Sequence, residues 1–569
     1  MNEQITGAEA IIKSLIEEGV DTIFGYPGGA IIPFYDVLYG YTNEMRHILV
    51  RHEQCAIHAA EGFSRVTGKI GVAVVTSGPG ATNIITGITD ALMDSTPLVV
   101  ISGQTDSRGL GTDAFQETDV IGITQPVTKW SIQVRRADDI PWAISRAFYI
   151  AGSGRPGPVV IDITKDAQIG KMEWKYEKCR YIRSYDPNPD VDPEEVTKAA
   201  ELINRAERPL IIAGHGIMLS GAEQELIAVA EKAGIPVINT LLGLSSIPSS
   251  HPLFKGMAGM HGNIGANINT NRCDVLVAIG MRFDDRVTGD TSKYAPQAKI
   301  IHIDIDESEF DKNIKSEVKI LGDAKAVLKK MLPLLKESTH EEWLKSFDRP
   351  AEVEFTKVIK DEVYPESGLM NMGEVARKVS EASGNNAILV TDVGQNQMLS
   401  ARYFKFMQPN SIVTSGGLGT MGFGLPAAIG AKIGKPERQV CLFVGDGGLQ
   451  MTIQELGTIL EYKVPVKIIL LNNNYLGMVR QWQELFFHKH YSETPMVNPD
   501  YVILCRAYGI EAEDVCRREE LDSAIDRMLK SESAYLLNVQ IKPYNMVFPM
   551  VPAGGCIENI MLNSTEHYS

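Results

Sequence analysis

Two carboxylates stand where a parallel-sheet protein could use them. The apolar run Val440–Val444 ends at Gly445, and Asp446, Gly447 and Gly448 follow before a helical pattern begins. The two glycines allow close backbone approach to a ligand. Thr452 and Glu455 have the S/T-x-x-E spacing of a capping box. Asp446 is thus expected at a strand's carboxyl end, just before a helix N-terminus, where open α/β sheets bind ligands and free amides suit a phosphate. A carboxylate beside a phosphate repels it unless a cation intervenes, which favours a hard divalent ion such as Mg2+. The next strand, residues 466–471, ends in Asn472-Asn473-Asn474, so Asn473 can converge on Asp446. Both residue types also serve as plain turn formers. The succession of strand, Gly-Asp-Gly, helix, strand and paired asparagines favours a site.

The second carboxylate is Glu53, in "HILVRHEQCAIHAAEGFSRVTG" (47–68), where an apolar strand leads into a helix. A helix N-terminus favours a Glu through its dipole, whatever else that Glu does. His52 and His58 have no metal-ligand partner at a persuasive spacing and are read as structural.

The elements that position these groups are short, apolar, β-branched runs followed by Gly-rich punctuation and helical patterns. Examples are "GVAVVTSGPG" (71–80), "GPVVIDIT" (157–164), "PLIIAGHG" (209–216), "DVLVAIG" (274–280), "AILVTDVGQ" (387–395) and "PVKIILLNNN" (465–474). Near-continuous apolar strands alternating with helices indicate parallel sheets covered on both faces. The fold class is α/β, with three doubly wound domains and mainly parallel sheets. Polar stretches at 171–195 and 336–355 read as linkers, the second partly helical. They separate domains near 1–170, 190–340 and 365–550, with 551–569 as a terminal extension. A length of 569 residues is too great for one core. The net charge of −16 argues against nucleic-acid partners and adhesion to anionic membranes. Seven scattered cysteines without a C-x-x-C pair fit a reducing compartment. The acidic, amphipathic start is unlike a signal or transit peptide, and no apolar run reaches the ~18 residues of a membrane span. A cytoplasmic location is expected.

The corner around Asp446 resembles the diphosphate-binding motif of thiamine diphosphate enzymes. An ordered set of segments extends the resemblance over nearly the whole chain, to the catalytic large subunits of acetohydroxyacid synthases, also called acetolactate synthases. The set includes "FGYPGGAIIPFYD" (24–36), "RHEQ" (51–54), "TSGPGATN" (76–83), "GTDAFQE" (111–117), "GMHG" (259–262), "RFDDRVTG" (282–289), "GGLGTMGFGLPAAIGA" (416–431) and "MVRQWQ" (478–483). The resemblance implies that pyruvate is decarboxylated on thiamine diphosphate and the hydroxyethyl unit is ligated to a second pyruvate or to 2-oxobutyrate. That reaction opens branched-chain amino-acid synthesis. Thiamine-and-FAD oxidases or decarboxylases and non-catalytic homologues share the scaffold. Arg286, Trp482 and "GTDAFQE" speak against the first, and intact Glu53, Asp446 and Asn473 against the second.

Carried over residue by residue, the resemblance implies that Asp446, Asn473 and the backbone carbonyl of Tyr475 hold Mg2+. Glu53 becomes the acid that exchanges a proton with the aminopyrimidine ring, for which a buried, apolar setting is expected. Gln116 and Gly29 lie near the reacting centre. Gly419 and Met421 contact and bend the cofactor. Gln395, Asn396, Gly447, Gly448, Gly477 and Met478 belong to its binding segments, although many relatives carry His where this chain has Asn396. Arg286 and Trp482 become the recognition pair for the acceptor. FAD, without net redox work, is implied at Arg155, Gly259, Met260, His261, Gly280, Arg282, Asp284, Arg286, Asp304, Ile305, Gly322, Asp323 and Ala324. A strand-end Asp such as Asp304 or Asp306 also suits a ribose hydroxyl. The implied assembly is a homodimer or higher homo-oligomer with active sites between subunits, joined by a regulatory small subunit.

Overall fold

The computed structural model describes residues 4–568. Three six-stranded sheets, every neighbouring pair parallel, carry the fold. The first contains β2 (Thr22–Gly25), β3 (Arg46–Leu49), β4 (Gly71–Val75), β5 (Leu98–Gln104), β6 (Trp130–Val134) and β7 (Pro158–Thr164). The second contains β9 (Pro209–Ala213), β10 (Val237–Asn239), β11 (Phe254–Met257), β12 (Val275–Ile279), β13 (Lys299–Asp304) and β14 (Val318–Leu321). The third contains β15 (Ile388–Thr391), β16 (Ile412–Val413), β17 (Val440–Gly445), β18 (Lys467–Asn472), β19 (Glu511–Val515) and β20 (Tyr535–Gln540). A small antiparallel pair, β1 (Gln4–Thr6) with β8 (Lys171–Glu173), ties the start of the chain to the exit of the first sheet. Every residue of β4, β5, β7, β9 and β12 is buried, as strands covered on both faces require.

Strand order separates the sheets into two kinds. The first sheet runs β3-β2-β4-β5-β7-β6 and the third β16-β15-β17-β18-β20-β19. Counted within each sheet, the two orders are the same. The middle sheet runs β11-β10-β9-β12-β13-β14, the order of doubly wound dinucleotide-binding folds. The sequence showed no repeat that would reveal the shared order, because topology survives when residue identity does not.

The polar stretches are anchored. Trp343, in the second, is buried and donates its indole N–H to the Pro209 carbonyl at 2.7 Å, fixing it to the middle sheet. That stretch is largely helical, with helices Glu341–Lys345 and Asp348–Glu354. The terminal segment is built into the fold: Ile557, Ile560, Met561 and Leu562 are buried, and Met550 and Met561 exchange backbone hydrogen bonds. No helix among the described residues is long and apolar enough to cross a membrane.

The first and third sheets are joined through helix Glu53–Thr67 lying on helix Gly424–Gly434. Contact is backbone to backbone. A Cβ on Gly62 would lie 2.0 Å from the Ala427 carbonyl oxygen, and one on Gly430 would lie 1.8 Å from that of Ala59. Helix propensity alone makes Gly→Ala favourable by about 1 kcal/mol. Overpacking a tight contact costs about 1–3 kcal/mol. Packing should win, so Gly62→Ala is expected to lower the denaturation midpoint, and a raised midpoint would refute the close contact.

Candidate functional site

Around Glu53 the sheet itself does the gathering. Glu53 is the first residue of helix Glu53–Thr67, capped by His52, whose Nδ1 accepts from the Gln54 amide at 3.2 Å. Segment 76–83 leaves the end of β4, and three expected residues meet it. The Glu53 carboxylate accepts from Asn83 Nδ2 at 2.9 Å. Gln116, held at φ +60°, lies against Gly78, where a Cβ would come within 2.9 Å of its own. Gly29 is exposed, between Gly28, packed on the Thr76 side chain, and Ala30, whose amide donates to Thr76 Oγ1. The expected buried, apolar setting for Glu53 is not found within one chain: it is half-buried and has a polar partner, since Asn83 on the segment after β4 reaches its carboxylate. Asn83 is a neighbour that residue pattern did not single out.

The Asp446 corner forms where β17 and β18 end side by side, with Gly445 opposite Leu471. Asp446 is 1% exposed. Its Oδ2 accepts from Asn498 Nδ2 at 2.7 Å, and its Oδ1 from the Gly447 amide at 3.1 Å. Burial pushes its carboxyl above the ordinary range. Asn498 also donates to the side-chain oxygens of Asn472 and Asn474, and Asn473 Oδ1 accepts from the Tyr475 amide. A buried acid set among amide oxygens, with no cationic side chain bonded to it, is the donor chemistry of a hard divalent ion. Asn498 carried no sequence signal, since "MVNPD" reads as an ordinary turn.

One detail corrects the expectations here. The helix starts at Asp446 and stops at Met451, so Thr452 and Glu455 form no capping box. Thr452 Oγ1 donates to the Gly422 carbonyl, and Glu455 accepts from the Arg51 amide and the Thr458 hydroxyl. Side chains at Gly447 and Gly448 would strike Leu476 and Asp392, so glycine is required there by the protein's own packing. Gln395 turns inward, donating to Gln481 Oε1 and the Asn545 carbonyl, and a Cβ on Gly477 would lie 2.2 Å from its Oε1. Asn396 stays at the corner, beside Gly445, with its Oδ1 buried and unpartnered. Met421 is half-buried, its methyl 3.5 Å from the Cβ position of Gly447.

Outside the carboxyl ends of the middle sheet opens a cavity of about 730 Å³. It lies at the point where strand order reverses between β9 and β12, the ligand crevice of such sheets. Gly280 and Arg282 follow β12, Asp304 ends β13 and Ile305 follows it, and Gly322, Asp323 and Ala324 follow β14; all face it. Met260, His261, Asp284, Arg286 and Arg155 complete that wall. Gly259 does not reach it: at φ +108° it packs on the Arg286 carbonyl. Asp284 and Asp323 each use one carboxylate oxygen to cap a helix that follows. Asp304 is buried and its carboxyl rises to about 7, an acid able to meet a ribose hydroxyl without a full charge. Arg155 spans to Asp306 at 3.1 Å and Glu309 at 2.7 Å. Size, topology and the strand-end acid fit a dinucleotide. The opposite wall brings in Gly419 from a loop of the third sheet and Met478 and Trp482 from helix Gly477–Phe486. Trp482 packs on Phe486, and Arg286 is mostly exposed, 3.7 Å from Asp285. An exposed pair of that length is weak, so the guanidinium keeps its charge for a ligand.

Three family models match this frame. The N-terminal binding domain of thiamine pyrophosphate enzymes matches residues 5–123, their central domain 196–331, and their C-terminal binding domain 392–539. The chain belongs to the thiamine pyrophosphate enzyme family. Within it, similar curated proteins include acetolactate synthase large subunits. A probable one from Methanocaldococcus jannaschii is 46% identical over 98% of this chain and 95% of its own length. That of Corynebacterium glutamicum is 44% identical over 98% of this chain and 90% of its own. The isozyme 3 large subunit of Escherichia coli is 40% identical over 99% and 100%.

The inward-facing Gln395 leads to a titrating group. Asn545, which accepts from Gln395, donates to Glu362, whose carboxyl also takes the Gly373 amide at 2.8 Å. Burial pushes Glu362 up to about 7 from 4.5. The folded state therefore keeps a proton that the unfolded state releases. Its stability contribution is full below pH 4.5 and is lost as pH rises through about 7. Glu362→Gln keeps the acceptor but not the titration. Its stability relative to the parent should rise between pH 5 and 8 by up to about 3 kcal/mol. Denaturation midpoints at four pH values in that range test this, and a flat difference would refute it.

Proposed function

We propose that the chain is the catalytic subunit of an acetolactate synthase. It joins the two-carbon unit left when pyruvate is decarboxylated to a second pyruvate, giving acetolactate, or to 2-oxobutyrate, giving acetohydroxybutyrate. The observation that carries this reading is that Arg286 and Trp482 face the same cavity as Gly419 and Met478. An acceptor-binding pair thus stands beside the segments expected to hold thiamine diphosphate. That cofactor, when bound, supplies the electron sink for decarboxylation and carbon–carbon bond formation. Asp446, Asn473 and the Tyr475 carbonyl hold Mg2+, which neutralises the diphosphate. Gly419 and Met421 orient the rings. Gln116 and Gly29 wall the reacting centre. FAD occupies the middle-sheet cavity as a structural component.

Glu53 holds and moves the proton at its Oε atoms, and Asn83 fixes the direction of the carboxyl. Its half-buried state within one chain supports a homodimer or higher homo-oligomer, in which a second copy closes the site. Tyr26, 39% exposed just after β2, and Phe115, 87% exposed just before Gln116, are large apolar side chains that suit such an interface. Arg286 pairs with the carboxylate of the second 2-oxo acid, and the Trp482 indole gives an ethyl group more contact than a methyl. A regulatory small subunit completes the assembly.

With thiamine diphosphate, Mg2+ and FAD present, pyruvate should yield acetolactate. Acetate with peroxide would instead indicate an oxidase. Glu53→Gln should lower kcat by about 10²–10⁴-fold, the usual share of a positioned acid–base group, while cofactor binding persists. Unimpaired carboligation in that variant would overturn its role. One methylene in a pocket is worth about 10–200-fold. Trp482→Leu should therefore cut the preference for 2-oxobutyrate over pyruvate by about ten-fold or more, measured by competition between the two acceptors.

A further inference from the structure

Segment 414–420 is bound more elaborately than a loop needs. Asp94, at the end of helix Ile85–Met93, has a side chain with no exposed surface. Its Oδ2 accepts from Arg65 Nη2 at 2.6 Å and from the Gly416 amide at 2.8 Å, and its Oδ1 from the Gly417 amide at 2.6 Å. Arg65 also donates to the Thr414 carbonyl at 2.9 Å. Asp90 accepts from Ser415 Oγ at 2.6 Å, and that hydroxyl accepts from the Thr420 amide at 2.9 Å. Three ionisable residues of the first sheet's helices, Arg65, Asp90 and Asp94, thus hold a glycine-rich turn belonging to the third.

The other face of the turn looks into the middle-sheet cavity. Ser415 through Gly419 line it, as do Met93, Asp94 and Ser95. A Cβ on Gly416 would meet Leu242 at 2.7 Å, and one on Gly417 would come 3.3 Å from Arg282 Nη2. The Asp94 carbonyl is 3.0 Å from Nδ1 of His215, which follows β9 at the reversal of strand order. Ser95 Oγ accepts from Arg155 Nε at 2.9 Å. Asp94 therefore touches the wall of the dinucleotide cavity with its backbone and the thiamine-side turn with its carboxylate.

Burying an acid–guanidinium pair such as Asp94 with Arg65 costs several kcal/mol per ion in desolvation and gives packing no advantage over apolar residues. What Asp94 provides is directional capture of the backbone amides of Gly416 and Gly417, which have no side chains with which to hold themselves. Gly419, at φ +72°, then leaves the fixed turn in one direction.

We propose that Asp94, buttressed by Arg65 and assisted by Asp90, is a positioning residue that couples the two cofactor sites. Filling the middle-sheet cavity with a flavin dinucleotide presses the far side of the 415–419 turn, and Asp94 transmits this as a fixed placement of Gly419 for thiamine diphosphate. This rests on the cofactor assignments of the proposed function. Coupling of this kind is reciprocal: each cofactor tightens the other by the same factor.

The test is equilibrium binding to the full-length apoprotein, without turnover. The dissociation constant of thiamine diphosphate, with Mg2+ in excess, is measured by calorimetry with and without saturating FAD. The parent should show a ratio of about five-fold or more, the lower end of ordinary coupling. In Asp94→Asn, which cannot accept from both glycine amides and Arg65 at once, the ratio should fall toward one while each cofactor alone still binds. Ser415→Ala removes only the Asp90 and Thr420 links and should lower the ratio partway; it serves if Asp94→Asn does not fold. A ratio of one in the parent, or an undiminished ratio in whichever variant folds, overturns the coupling. Failure of the parent to bind either cofactor overturns the functional reading itself, which separates the two.

Discussion

Helix Glu53–Thr67 and helix Gly424–Gly434 touch backbone to backbone, and the rest of the site depends on that contact. It brings the first and third sheets together with no side-chain layer between them at Gly62 and Gly430. From one end of the pair projects Glu53. Alongside the other runs the turn that carries Gly419 and Met421. Between them lies His58, buried, 2.8 Å from Glu61 and edge-on to Phe423 of the partner helix's N-cap. A single added methyl at the contact would displace acid and turn relative to each other.

Close approach of this kind leaves little room for solvent, yet the junction is full of acids. Glu61, Asp90 and Asp392 are buried, and burial pushes each carboxyl upward, Asp90 to about 8. His58 is pushed down, so it stands neutral against them. Asp392, at the end of β15, accepts from the amides of Val393, Gly422 and Gly424, pinning the far end of the same glycine segment that Asp94 holds at its start. The polar interior is thus a set of acceptors for a backbone that must be placed accurately and has few side chains of its own.

The two strand orders divide the labour. In the outer sheets the ends of β4 and β17 carry the acid-bearing environment and the metal-type corner. In the middle sheet the classical reversal between β9 and β12 opens a cavity large enough for a dinucleotide. The third sheet's loops close that cavity, so the sites share a wall.

The sequence by itself determined the strands, the sheet class and the two acids. Apolar runs such as Val440–Val444 leave no alternative to burial, and Gly-Asp-Gly after a strand has few uses. It also placed Asn473 one unit from Asp446, because adjacent parallel strands end together. Only tertiary structure decided which groups serve as partners. Asn498, Asn83, Asp94 and Arg65 lie far along the chain from what they hold, or in segments whose pattern reads as an ordinary turn or helix end. The capping box at Thr452 was legible and wrong for the same reason: Gly422 and Arg51, remote in sequence, offered those side chains better partners. Periodicity reports which face a residue presents. It does not report what arrives to meet that face, and hydrogen bonds between distant segments are settled only when the sheets pack.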